Sequence, residues 1–78
     1  MENNLKEVLS AVLEVSISEL DENSSPATIA NWDSLRHMNL IVALEEEFGV
    51  QFDDEDMLNL LNYKLLRLTL EEKLGINP

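Results

Sequence analysis

The chain has no cysteine. No disulfide and no thiolate metal site can therefore support the fold, and the polypeptide offers no thiol for chemistry. Such a chain is at home in a reducing cytoplasm. Basic residues are scarce: five Lys and Arg face sixteen Asp and Glu, for a formal net charge of -11 over 78 residues. Ordinary phosphate-backbone binding needs Lys and Arg to displace counterions, so nucleic acid is excluded as a partner of that kind. No apolar run approaches the length needed to cross a bilayer, so no membrane partner is expected. The first residues, MENNLKEVLSAV, carry acids early and no basic segment, and so predict no secretory leader. There is no strand-like alternation, internal repeat or low-complexity tract. At this length residues 1–78 make one domain, expected to be a monomer, with little room for an enclosed catalytic pocket beside a core.

What is present is acid and helical periodicity. Residues 45–56 hold seven acids (Glu45, Glu46, Glu47, Asp53, Asp54, Glu55 and Asp56) and no base. Such a cluster costs self-repulsion, which suits a surface that meets basic partners quickly and in a salt-dependent way. Leu5, Val8, Leu9, Val12 and Leu13 follow i, i+3, i+4, i+7, i+8 and predict an amphipathic helix from about Asn4 to about Glu14, with Asn3 or Asn4 as its cap. Residues 16–33, rich in Ser, Asn and Asp and containing Pro26, read as a long connection anchored by Leu20 and Ile29. Loops of this length are often functional. Helix two is expected to start at Ser34, with Asp33 as N-cap, and to end at Gly49. Asp53 or Asp54 can cap a short third helix through Met57, Leu58 and Leu61. Asn62 can cap a fourth, in which Tyr63, Leu66, Leu70 and Leu74 share a face and which Gly75 ends. The expected fold is all-α: a small four-helix bundle with a long loop between helices one and two.

Helix two carries two apolar faces. Leu40, Ile41, Leu44 and Phe48, topped by His37, form one and should be core. Leu35, Met38 and Val42 form a second on roughly the opposite side, with Glu45 and Glu46 flanking its C-terminal end. A helix in a small bundle needs only one apolar face. The second either packs under the long loop or is a docking surface, where apolar contact gives affinity and charge gives steering.

Trp32-Asp33-Ser34-Leu35, followed by Ala43-Leu44-Glu45-Glu46-Glu47-Phe48, resembles the acyl carrier protein family. The likeness extends over the whole chain, because the triplet Asp33-Ser34-Leu35 opens the second of four helices about midway along a chain of carrier length. It implies that Ser34 carries a covalent 4′-phosphopantetheine arm and that Asp33 helps the modifying transferase hold its Mg²⁺. Leu35 would then begin a docking stripe beside the arm. The chemistry of the position agrees: a helix N-terminus exposes the hydroxyl and offers unpaired N–H groups and partial positive charge to a phosphodiester. The resemblance also implies a carrier and not an enzyme, with cargo held as a thioester on the arm. Its partners would be a phosphopantetheinyl transferase and acyl-loading and acyl-processing enzymes with basic docking patches.

One departure from the family is informative. Fatty-acid carriers commonly place acids around the first turns of this helix. Here those turns read Leu35-Arg36-His37-Met38-Asn39, with a base and a neutral amide, and the acids begin at Glu45. Arg36, Asn39, Glu45 and Glu46 are therefore expected to join Leu35, Met38 and Val42 in partner choice, in a specialised pathway. An aminoacyl or peptidyl carrier of the same fold, or an acidic helical adaptor without a prosthetic group, is the alternative. Catalysis by Ser34 with His37 lacks a Gly-rich elbow and a second His. The run Asp53-Asp54-Glu55-Asp56 lacks the Gly and spacing of a calcium loop, so no metal site is expected.

Overall fold

The computed structural model describes residues 1–75. Four helices follow one another: α1 (Glu2–Leu13), α2 (Ser34–Phe48), α3 (Asp54–Asn59) and α4 (Tyr63–Leu74), with a 3-10 turn at Ile17–Glu19 in the first connection and no strand among the described residues. This is the expected all-α bundle. Its core takes Leu5, Leu9 and Leu13 from α1, Leu40, Ile41 and Leu44 from α2, and Tyr63, Leu66 and Leu70 from α4, closed by Leu20, Ile29, Trp32 and Leu60 from the connections. The spacing of four residues within α1, and of three and four within α4, keeps each set on one stripe. Full burial of such a Leu is worth about 1.5–3 kcal/mol.

Two boundaries and one set of burials differ from the sequence reading. First, α1 starts at Glu2, with Met1 in the cap position and no side-chain cap, so Asn3 and Asn4 lie inside the helix. The two extra residues let Met1 pack against the core, which outweighs the capping preference of Asn. Second, α3 stops at Asn59, before Leu61. Leu58 and Leu61 project into solvent while Leu60, in the non-helical joint, is fully buried. Third, Phe48, Val8 and Val12 are only partly buried against the core, being at the margins of their stripes.

The ends of α1 and α2 are fixed by different means. At α2 Gly49 takes the left-handed conformation (φ 65°) and its N–H returns to the Glu45 carbonyl. At α1 the corresponding residue is Glu14, also left-handed (φ 56°), where a side chain is disfavoured. Here the last carbonyls are capped from elsewhere. Asn31 Nδ2 donates to the Leu13 carbonyl at 2.9 Å, Arg36 Nη1 donates to the Val12 carbonyl at 2.9 Å, and Arg36 Nη2 pairs with the Glu14 carboxylate at 2.9 Å. The long connection and the first turn of α2 are thereby tied to α1.

Two further bases also join elements of the fold. Arg67 on α4 pairs with Glu2, Glu22 and Glu71, drawing α1 and the connection onto α4. Tyr63 beside it is pushed up to about 12, first by burial and then by the Glu2 charge. Lys73 reaches α3, pairing with Asp56 at 2.6 Å and lying over the Phe52 ring. That ion pair holds the Asp56 carboxyl below the usual carboxylate range. The acidic run is thus less crowded than its sequence suggests. Asp53 and Asp56 form a capping box for α3, and Glu45 accepts the Phe52 N–H at 2.9 Å.

Candidate functional site

The connection before α2 is built to present the helix start. Ser24 is buried and its carbonyl accepts the Tyr63 N–H at 3.0 Å. Ile29 N–H bonds to the Ser25 carbonyl at 2.8 Å and Trp32 N–H to the Ile29 carbonyl at 3.0 Å. Ile29 and Trp32 anchor in the core. The chain then turns out at Asp33, which is extended, and its Oδ1 accepts the Arg36 N–H at 2.8 Å as the N-cap. The His37 N–H closes the first helical bond to the Asp33 carbonyl at 2.8 Å. Ser34 and Leu35 are the first two helical residues, so their N–H groups have no acceptor within the helix. Because Asp33 already occupies the capping role, the Ser34 hydroxyl is not needed for it, and Ser34 is exposed.

Ser34 stands at the edge of a cleft of about 480 Å³. One wall is the start of α2, with Asp33, Ser34, His37 and Met38. The connection supplies Pro26 and Trp32, and the α3–α4 joint supplies Leu60 and Leu61. Apart from the α2 residues, the lining is apolar. No group of three or more His, Cys, Asp or Glu among the described residues is arranged to hold a metal ion.

His37, which tops the core face of α2, is only half-buried and is partnered by Trp32. Trp32 Nε1 donates to His37 Nδ1 at 3.0 Å, with the rings stacked at 6.2 Å and 26° between planes. Trp32 therefore packs the connection against α2 and also lines the cleft. The signal was in the spacing: five residues across a helix start bring the two rings to the same side. Burial holds the His37 pKa below its ordinary 6.5. The fold thus favours neutral His37, so its contribution is complete above about pH 6.5 and is lost as the pH falls through the lowered value. Protonation of Nδ1 would also break the Trp32 bond, worth about 1 kcal/mol. Melting temperature is expected to fall as the pH is lowered from 7.5 to 5 through the His37 titration, and this step should vanish in His37→Phe. A wild-type melting temperature that is flat over this range contradicts the assignment.

Leu35, Met38 and Val42 are 73 %, 54 % and 53 % exposed. They do not pack under the long connection. Asn39 and Glu46 are exposed as well. Arg36 and Glu45 are different, since the guanidinium is turned to the end of α1 and the Glu45 carboxylate faces the Phe52 backbone. Neither contact follows from helical periodicity: the first joins residues 24 apart in the chain, and the second closes the turn after α2 across seven residues.

Comparison with known proteins places this geometry in context. The sequence profile of the family described as "Phosphopantetheine attachment site" matches residues 3–64. An acyl carrier protein of Nitratidesulfovibrio vulgaris is 38% identical over 64 residues, covering 82% of this chain and 84% of that protein. An acyl carrier protein homolog of Mycoplasma genitalium is 39% identical over 74 residues, covering 86% of each. Among solved structures, the solution NMR structure of a holo acyl carrier protein from Geobacter metallireducens superimposes with a TM-score of 0.84 at 32% identity, covering 94% of this chain and 84% of that one.

Proposed function

The chain belongs to the phosphopantetheine-attachment family of acyl carrier proteins, and from that premise we propose that Ser34 is its attachment residue and that the exposed face of α2 is its docking surface. It is a carrier and not a catalyst, and its prosthetic group is 4′-phosphopantetheine on a serine. Ser34 fits that group on the chain's own geometry. Its hydroxyl is accessible, the first N–H groups of a fifteen-residue helix lie where a phosphodiester oxygen would sit, and a largely apolar cleft begins beside it. That juxtaposition carries the reading. Only one Asp33 oxygen is used in the cap, which leaves the other for the Mg²⁺ of a phosphopantetheinyl transferase. The test is incubation with coenzyme A and a broad-specificity transferase, followed by peptide mapping. One group is expected, on the peptide containing Ser34.

Acyl-loading and acyl-processing enzymes with basic patches would then read Leu35, Met38 and Val42 as apolar contacts, with Asn39 among them and Glu46 at the rim. No described helix is long and apolar enough to cross a membrane, and the acidic surface suits encounters between freely diffusing proteins, in cytoplasm, with the carrier acting as a monomer. The pathway is specialised, because the first two turns of α2 present no acid to a basic patch. Arg36 contributes to this mainly by the acid it replaces, since its own charge is paired with Glu14. Loaded with malonyl or short acyl groups, the holo protein should turn over poorly with housekeeping fatty-acid elongation enzymes. Asn39→Glu, at an exposed position, should recover part of the rate by supplying an acid for the basic patch. Wild-type turnover equal to that of a fatty-acid carrier rejects the specialisation. Arg36→Asp is a poor rescue, as it removes the α1 cap.

A further inference from the structure

The Trp32–His37 pair fixes more than packing. An indole N–H can only donate, so the His37 Nδ1 it meets must be bare, and the neutral ring then carries its proton on Nε2. Nε2 has no hydrogen-bond partner among the described residues, so this donor is unused within the chain. Its placement is specific. His37 lies three residues after Ser34 in α2, where side chains share a face about 5–6 Å apart, and helical side chains lean toward the N-terminus. Both residues line the same cleft.

We propose that His37 is a positioning residue for the arm on Ser34, donating from Nε2–H to a phosphodiester oxygen of the arm, with Trp32 fixing the tautomer that makes this donor available. The inference rests on Ser34 being the attachment residue. The bond would hold the first atoms of the arm toward the cleft wall formed by Trp32 and Met38, and so set the direction in which the cargo leaves the helix. Few charges compete. Asp33 is the one carboxylate lining the cleft, and the Arg36 guanidinium is engaged with Val12 and Glu14. The connection and the α3–α4 joint contribute Pro26, Trp32, Leu60 and Leu61 to the lining, of which none titrates.

The test compares apo and holo protein with ¹⁵N-labelled histidine, the chain's single His, after peptide mapping has located the arm. In both forms the ring nitrogens should report the Nε2–H tautomer. In the holo form the Nε2 resonance should shift and the titration midpoint should rise, because a phosphodiester anion favours imidazolium. The ³¹P resonance of the arm should follow that same titration. In holo His37→Gln, whose amide can both accept from Trp32 and donate, the ³¹P position at neutral pH should stay near wild type, and in His37→Leu it should move. A purely structural His37 would leave the ³¹P signal unmoved in every variant. If Ser34 carries the arm and the His37 nitrogens titrate identically in apo and holo protein, the inference is overturned while the attachment reading stands. If the arm maps to another serine, both fall. The wild-type comparison decides the matter even if His37→Leu fails to fold.

Discussion

Ser34→Ala should reduce phosphopantetheine addition to baseline while leaving the melting temperature almost unchanged. The chemistry needs a hydroxyl that an incoming transferase can reach, and the other serines are placed less well. Ser24 is buried. Ser10 lies within α1 with its hydroxyl donating to the Val15 carbonyl. Ser16 is engaged with Glu19 in the capping box of the 3-10 turn. Ser25 accepts the Ala27 N–H, and Ser18 sits inside the short turn. None of them opens a long helix beside the cleft. The fold should tolerate the change, because Asp33 and not Ser34 caps α2, and Ala is the best helix former. A stability change within about 0.5 kcal/mol is expected, as for most surface substitutions. Intact mass reads the first effect and thermal melting the second. Addition of a group to Ser34→Ala would show that another serine accepts the arm.

The helices were legible in the sequence because their apolar positions recur at helical spacing and their ends carry strong local signals. Asp33, Asp53 and Asn62 cap α2, α3 and α4, and Gly49 and Gly75 end α2 and α4, each through contacts within a few residues. The start of α1 was misread because Met1 gains burial that no local signal reports. What stayed illegible is tertiary. Arg36 reaching Val12, Asn31 reaching Leu13 and Lys73 reaching Asp56 join residues between 17 and 24 apart in the chain, and no period predicts such contacts. The acidic run shows the consequence. Read alone it is seven repelling charges, whereas in the fold Glu45, Asp53 and Asp56 each accept a backbone N–H and Asp56 is also paired with Lys73. The candidate site was half legible: Asp33-Ser34-Leu35 announced the helix start, but the cleft beside it depends on Pro26, Leu60 and Leu61 arriving from other elements.

The two faces of α2 should separate sharply on truncation. Leu44→Ala is expected to cost ~2–5 kcal/mol, the range for removing a fully buried Leu and leaving part of its volume empty. Leu44 is fully buried among residues of α1, α2 and α4, so little solvent can fill the space. A domain of this size is stabilised by only about 4–12 kcal/mol in total, on a scale of roughly 0.05–0.15 kcal/mol per residue. The substitution should therefore lower the urea midpoint severely or unfold the chain outright at room temperature. Met38→Ala sits one and a half turns earlier on the opposite face, with more than half of its surface exposed. It removes apolar area that is already in water in the free protein, and Ala is at least as good a helix former as Met. Its cost should stay within about 0.5 kcal/mol. The same variant should weaken binding to any partner enzyme that docks on Leu35, Met38 and Val42, because that is where the side chain becomes buried. Equal destabilisation by the two substitutions would mean that the second face is core. An unperturbed Met38→Ala fold with unchanged partner affinity would leave the face exposed but remove Met38 from docking.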